Sequence, residues 1–385
     1  MAHRTFTESE IVALTQRVVR HASEQTAKME QDPAVLSFVM DCAKPVLDEA
    51  GLTSKIDEYG NLICEAGPDG ADMPVVMLAY AMTHPGNKML KPFEGEVLQG
   101  ADGAAIRGRG VSEQKSSLAA SLAAFIDIAT SGKLKKRIAW ALLTAGETGR
   151  HDAVIVALRN LSRKPQAGIL GVGTNTKIAL GNRGRIDVLV HIQGKSSHSS
   201  TPWAGVDVTK GIREILGRAE AIHQSLPAHP MLGPATLTCT SIKTFPDATH
   251  TVQEDARMVF DRRLLPGEEP EVVLEGLRKS FQLDAPLKIT VERGPFMYGC
   301  EVDPKGPLLT AIGAALKEQG LPERETFYSP ASLDAGYLVV NGIEAVKWGS
   351  GSPDQFHTDE ENVPVADVVG MFDAYRAVMS HLGGR

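Results

Sequence analysis

Pro74-Val75-Val76-Met77-Leu78-Ala79-Tyr80-Ala81-Met82 contains no charged side chain and only one polar group, the phenol of Tyr80. A short, unbroken apolar run of this kind reads as a β-strand buried on both faces, because a strand with one wet face would alternate. Three more runs share the character: Arg137-Ile138-Ala139-Trp140-Ala141-Leu142-Leu143-Thr144, Gly168-Ile169-Leu170-Gly171-Val172 and Glu344-Ala345-Val346-Lys347-Trp348. Helical segments separate most of them, which is the order of an α/β domain with a mostly parallel sheet. Outward from these runs, Thr7 and Glu10 form a capping-box pattern followed by Ile11, Leu14 and Val18 at helical spacing. Pro33 opens a second helix predicted to stop near Gly51, and Ile56–Ile63 reads as two short strands around a Gly60-Asn61 turn.

The middle of the chain has another rhythm. A strand over Arg185–Gln193 is followed by a helix over roughly Val206–Gln224, strands near Ala235–Thr244 and Arg257–Leu264, a helix near Glu268–Phe281 and a strand near Leu287–Glu292. That β-α-β-β-α-β order is a ferredoxin-like α+β unit. The predicted organisation is therefore a first domain over 1–185 and 295–385, interrupted by a small domain over 186–294.

The bulk properties narrow the function. A chain of 385 residues with 43% hydrophobic and 23% charged residues has the composition of an ordinary globular protein. A net charge of −7 argues against nucleic acid or an anionic membrane as the main partner. The four cysteines, Cys42, Cys64, Cys239 and Cys300, form no close pair and read as reduced core residues of a cytoplasmic protein. Met1-Ala2-His3-Arg4-Thr5 lacks the apolar core of a secretion signal, and no run reaches transmembrane length.

In open α/β sheets, binding groups gather beyond the carboxyl ends of the strands. Here those ends lead into Thr83-His84-Pro85-Gly86, Ala145-Gly146-Glu147-Thr148-Gly149 and Gly349-Ser350-Gly351-Ser352-Pro353-Asp354-Gln355-Phe356-His357. Gly108-Arg109-Gly110-Val111-Ser112-Glu113-Gln114-Lys115 precedes an Ala/Ser/Leu-rich run with the composition of a buried helix, so Glu113 falls where a loop enters that helix. Two carboxylates and an imidazole, one per loop, suit a divalent cation. The plain alternative for Glu113 is a helix cap.

Five motifs together resemble one family. They are Asp57-Glu58-Tyr59-Gly60-Asn61-Leu62; Pro92-Phe93-Glu94-Gly95-Glu96-Val97 followed by Gly108-Arg109-Gly110; Gly194-Lys195-Ser196-Ser197-His198-Ser199-Ser200-Thr201-Pro202; Asp261-Arg262-Arg263-Leu264-Leu265-Pro266-Gly267-Glu268; and Phe356-His357-Thr358-Asp359-Glu360. The chain resembles, over nearly its whole length, the co-catalytic metallohydrolases that include acetylornithine deacetylase, succinyl-diaminopimelate desuccinylase, aminoacylase and the glutamate carboxypeptidases. The resemblance implies a catalytic domain with an inserted lid domain through which two copies dimerise. It also implies a small carboxylate-bearing substrate.

Departures from the family pattern sharpen this. Relatives normally end the first buried strand with His-x-Asp, where this chain has Tyr80-Ala81-Met82. The bridging Asp is Glu113, and the usual Glu-Glu pair is Gly146-Glu147, which removes the family's general base. Where relatives have an acid that binds the first metal this chain has Thr174, and the lid Asn that usually contacts substrate falls near His250. Both ligands private to the first metal are thus gone, while Glu113, Glu147 and His357 remain for the second. The implied centre holds one divalent ion, zinc foremost, with manganese, iron or cobalt also suited.

The resemblance further assigns His198 to stabilising the developing oxyanion of a partner subunit's substrate. Arg183 and Arg263 match positions that contact a substrate carboxylate, and Arg263 has the alternative of a structural strand arginine. Tyr80 either packs the strand end or donates its phenol to a substrate oxygen. Met82 is read as packing. Gly349, Ser350 and Gly351 offer backbone donors near substrate or form a plain turn. Lys115 has the plain role of neutralising Glu113. A replacement base must come from Tyr80, His84, His151 or the substrate, with a surface position the plain reading of each histidine. The leading expectation is a metal-dependent hydrolase of an amide or related C–N bond. The alternatives are a lyase or isomerase on the same scaffold, or a non-catalytic ligand-binding relative.

Overall fold

The computed structural model describes residues 3–101, 103–146 and 149–384. It divides into two compact units, one of residues 1–180, 302–327 and 337–385, the other of 181–301 and 328–336. The second unit starts and ends a few residues outside the expected 186 and 294, and it takes in the short segment Tyr328–Gly336.

The first unit is a mixed α/β fold around a large, mostly parallel sheet. Ile138–Leu143, Val75–Tyr80, Ala167–Leu170 and Glu344–Trp348 lie side by side in that order, all parallel. Val75–Tyr80 and Ile138–Leu143 are buried at every position, so their runs need no polar face. The hairpin Ser54–Ile56 and Leu62–Ala66 extends the sheet antiparallel on one side. At its turn, Gly60 has φ +94°, and the Asp57 carboxylate accepts the backbone N–H groups of Tyr59 and Asn61 at 2.9 Å each. Asn61 Oδ1 then accepts the N–H of Thr144 at 2.9 Å, tying the hairpin to the exit of the neighbouring strand.

Helix Ser116–Thr130 is buried along nearly all its length, between the sheet and the long helix Val365–Gly384. Its alanines and serines permit that close approach, and Ser121 Oγ accepts the indole N–H of Trp140 at 3.1 Å. At the amino end, Thr7 and Glu10 make the expected capping box on helix Glu8–Arg20. The single helix expected from Pro33 to Gly51 is instead Pro33–Ser37, a wide π turn over Phe38–Ala43, and Lys44–Glu49. Pro45 explains the break, since it has no N–H to give and its ring crowds the carbonyl four residues back.

A small sheet that the sequence reading did not anticipate decides where the site forms. Glu96–Gly100 and Gly103–Arg107 make an antiparallel hairpin, and Asn362–Pro364 adds to it with Asn362 opposite Arg107 and Val363 opposite Ile106. The strand just before the Glu113 loop is thereby bonded to the strand just after His357.

In the second unit the antiparallel sheet runs Thr236–Phe245, Asp255–Leu264, Gly184–Gln193, Lys288–Met297. With helices Val208–Ser225 and Pro270–Ser280, this is the ferredoxin-like strand order 4-1-3-2. Its core includes Ile186, Val188, Val190, Ile192, Phe260 and Phe281. The alternate positions of the central strands carry charge: Arg185 and Arg263 each make two-point contact with an aspartate, Asp187 and Asp261 respectively.

Candidate active site

Glu361 organises the loop that carries Glu113. Its carboxylate is wholly buried and accepts the N–H groups of Gly110 at 2.9 Å, Ser112 at 3.0 Å and Glu113 at 3.1 Å, with Arg109 Nη1 at 3.1 Å. Arg109, also wholly buried, reaches Thr358 O at 3.0 Å and Gly86 O at 3.1 Å through its other N–H groups. Burial pushes the Glu361 carboxyl up from its ordinary range, opposed by the three amides and the guanidinium. Gly110 has φ +76°, and a Cβ there would lie 2.4 Å from Thr83 Cγ2, so only glycine allows the loop to turn against the strand exit. The chain then enters a π turn over Val111–Lys115, a wide turn that recurs at functional sites.

On this frame Glu113, 4% exposed, places Oε1 3.3 Å from His357 Nε2. That separation is long for a charge-assisted hydrogen bond. It matches the edge of a tetrahedron whose corners lie about 2.0–2.1 Å from a central ion. The two side chains therefore fit as neighbouring ligands of one cation. His357 has a left-handed backbone, φ +62°, which few residues other than glycine adopt without support. His84 stacks on its ring, centroids 4.0 Å apart and planes 15° from parallel. His84 is half-buried, one face of its ring covered by His357. Glu147, the third expected ligand, lies outside the described residues. Among the described residues no three His, Cys, Asp or Glu side chains converge.

The positions where the resemblance places the first-metal ligands and their neighbour, Tyr80, Met82 and Thr174, are closed by packing. Tyr80 is 2% exposed and Met82 is wholly buried. Met82 thus packs the strand end as read, while the phenol of Tyr80 is too buried here to meet a substrate. Thr174 Oγ1 donates to backbone oxygens of Lys177 and Gly349 and accepts the N–H of Gly349 at 3.0 Å, which staples two loops. A Cβ on Gly146 would stand 2.1 Å from Met82 O, so the backbone leaves no room for any side chain there.

Several other expectations need correction. Lys115 does not face Glu113: its amine donates to His21 O at 2.8 Å and lies 4.7 Å over the Phe38 ring. Complete burial lowers its pKa to about 7. His151 is 4% exposed, beside the Tyr337 ring at 5.5 Å, and is no surface histidine. Ser350 is wholly buried, its hydroxyl bonded to Ser116 Oγ at 2.8 Å and Ser117 Oγ at 3.3 Å, because the glycines beside it press the loop onto the helix start. A Cβ on Gly351, φ +82°, would come within 2.2 Å of Ser112 O. The Gly349–Gly351 stretch is therefore a close backbone approach, with Ser350 turned away from any substrate.

In the second unit, His198 Nδ1 accepts the N–H of Ser200 at 3.2 Å and lies 2.8 Å from Ser200 Oγ. The neutral ring therefore carries its proton on Nε2. The His250 ring lies near-parallel to it, 6.5 Å away. Arg183 commits Nε and Nη2 to Leu232 O. Arg263 holds Asp261 at 2.9 and 3.1 Å, with Nη1 3.4 Å from Ser332 Oγ, so its structural alternative has a clear partner.

Residues 81–381 match the family described as Peptidase family M20/M25/M40. The chain belongs to this family. A Pyrobaculum aerophilum protein named as a LysW-lysine/LysW-ornithine hydrolase is 27% identical over 330 residues, covering 85% of this chain and 87% of that one. Succinyl-diaminopimelate desuccinylase of Sulfurimonas denitrificans is 23% identical over 283 residues, 70% of this chain and 74% of its own. The fold is shared with the M20 metallo-carboxypeptidase Sso-CP2 of Sulfolobus solfataricus, at TM-score 0.76 and 16% identity over 97% of this chain and 98% of that one. Bacillus subtilis YXEP, described as a dinuclear metal-binding M20 peptidase, gives TM-score 0.68 and 14% identity over 98% and 99%. Family membership makes this an enzyme of the metallo-amidohydrolase and peptidase kind. No helix among the described residues is long and apolar enough to cross a membrane.

Glu361 escaped the sequence reading, which offered Arg109 only as a partner for Glu113 or Glu147 in a metal-free ligand binder; its acid here is Glu361. The run Asp359-Glu360-Glu361 drew attention only to its neighbour His357, and nothing local marks one acid of three as the buried one.

Proposed function

We propose that this chain hydrolyses an amide or related C–N bond in a small carboxylate-bearing substrate, using one divalent cation. The observation that carries this reading is the 3.3 Å approach of Glu113 and His357 on loops clamped by Glu361. Tyr80 is 2% exposed, and the Thr174 hydroxyl is engaged with Lys177 and Gly349. Glu147 is assigned as the third ligand, and zinc as the foremost metal. When bound, the ion supplies Lewis acidity that polarises a carbonyl and acidifies water. Glu113 and His357 would hold it. In a homodimer formed through the ferredoxin-like unit, the Nε2–H of His198 donates to the oxygen that gains charge in the neighbouring copy. Arg183 and Arg263 each keep Nη1 without a strong partner, and the substrate carboxylate is assigned to that pair.

One observation favours a second reading. Gly146 cannot carry a base, and a missing base typically costs ~10²–10⁴-fold in rate. An elimination or isomerisation, in which no water attacks, escapes that cost. The test is metal analysis of the freshly purified chain, then zinc-loaded protein with N-acetyl and N-succinyl amino acids and dipeptides in heavy-oxygen water. Hydrolysis predicts about one equivalent of metal and label in the product carboxylate. Product without label favours the second reading, and a chain that takes up no metal overturns both.

A further inference from the structure

We infer that His84 is a positioning residue for the metal ligand His357, acting as a flat shelf under its ring. This rests on the metal-site reading above. His357 needs such support. Its side chain is 37% exposed, so burial does not hold the ring, and its backbone occupies the left-handed region. A residue in that region persists only where its surroundings over-determine it.

His84 is itself well anchored. The preceding residue, Thr83, is bonded on both sides, its N–H to Ser23 O at 2.9 Å and its carbonyl to Gln25 N at 2.8 Å. His84 Nδ1 lies 3.2 Å from Pro85 O and 3.4 Å from Asn87 Nδ2. The ring thus projects from a fixed backbone, with Nδ1, its nitrogen nearer the main chain, tied to its own turn.

The geometry separates a shelf from a ligand. An imidazole lone pair lies in its own ring plane. Here the two planes are 15° from parallel and the centroids 4.0 Å apart. An ion about 2.0–2.1 Å from a nitrogen of each would sit roughly 2 Å out of both planes, where neither lone pair points. His84 therefore shares no ion with His357. It restricts the ring rotation that would carry His357 Nε2 away from Glu113 Oε1. Groups that orient a metal-bound histidine commonly matter 10–100-fold in metal affinity.

The experiment titrates metal-free full-length protein with zinc against a chromophoric chelator, for wild type, His84→Ala and His84→Phe. Melting curves of all three serve as the fold control. The expected result is a Kd about tenfold weaker for His84→Ala and within about twofold of wild type for His84→Phe, which keeps a flat ring without a nitrogen. Should His84→Ala melt early, His84→Leu replaces it, filling the space without a flat face. Wild-type affinity in the variant lacking a ring overturns the inference. Equal loss in the Phe and Ala variants also overturns it, since a nitrogen rather than a face would then be at work. A wild-type chain that binds no zinc removes the metal site first and this role with it, which tells the two failures apart.

Discussion

Around the carboxyl ends of the central strands, Tyr80, Met82, Gly146 and Thr174 are shut in by packing and backbone bonds, whereas Glu113, His84 and His357 keep nitrogen, oxygen and ring faces turned toward one another. The first group sits at strand exits of the large sheet, whereas Glu113 follows a strand of the small three-stranded sheet. In one, each lost polar group has been replaced by something that fits: a phenol at a strand end, a hydroxyl stapling two loops, a glycine against a carbonyl. In the other, a buried ion pair and three backbone amides are devoted to holding one acid in place. Decay without selection would leave holes and unsatisfied groups in the first region and disorder in the second. The contrast is what the proposed single-ion site requires: one side filled by packing, the other held open by a clamp.

The sharpest way to break the comparison is Glu361→Ala. It leaves the Arg109 charge buried without its acid and frees the amides of Gly110, Ser112 and Glu113. The expected loss is about 3–5 kcal/mol in a urea titration, with zinc uptake weakened alongside. A loss under about 1 kcal/mol would mean the clamp is ornamental.

Next in size is His357→Ala, for which zinc affinity drops more than about a hundredfold, beyond the range of an outer-shell change. Tyr80→Phe, on the closed side, leaves it within about twofold. If those two results are exchanged, the open and closed regions have been assigned the wrong way round. Gly146→Ala is expected to cost about 1–3 kcal/mol, because its new methyl group must displace Met82 O. By the same clash, Gly146→Glu distorts the loop rather than restoring a base, and a stable, more active Gly146→Glu variant would show the region is not closed.

The smallest effect concerns Lys115, whose folded pKa of about 7 lies below the 10.5 of a free lysine. Between those values the unfolded chain holds more protons, so stability rises with pH. The slope is at most about 1.4 kcal/mol per pH unit. Between pH 7.5 and 8.5, wild type is expected to gain about 1 kcal/mol relative to Lys115→Met, which has no proton to bind. Parallel stability curves for the two proteins would show that the amine stays protonated despite its burial.

Much of the scaffold was readable because burial on both faces leaves an unmistakable trace: Val75–Tyr80 and Ile138–Leu143 are apolar throughout, as a central parallel strand must be. The ferredoxin-like unit was readable from element order. The hairpin Glu96–Gly100 and Gly103–Arg107 was not, since its strands are short, half exposed and carry no clear alternation. Its pairing with Asn362–Pro364 spans more than half the chain, and no local pattern encodes that. Within the site, Glu113 and His357 stood out by chemistry and motif. Lys115 and His151 were misread for one reason: a polar residue near a cleft in sequence gives no sign of which way it points. Glu361 was missed for the converse reason, because its partners are backbone amides about 250 residues away.

The edge pairing of Asn362–Pro364 with Gly103–Arg107 also sets an order of events. Closing so long a loop is entropically slow, so the two donors cannot meet until nearly all of the catalytic unit has collapsed. A ribosome-bound chain that has emerged only as far as Glu344–Trp348 still lacks His357, so the proposed ligand set is completed only by the segment made after the parallel core.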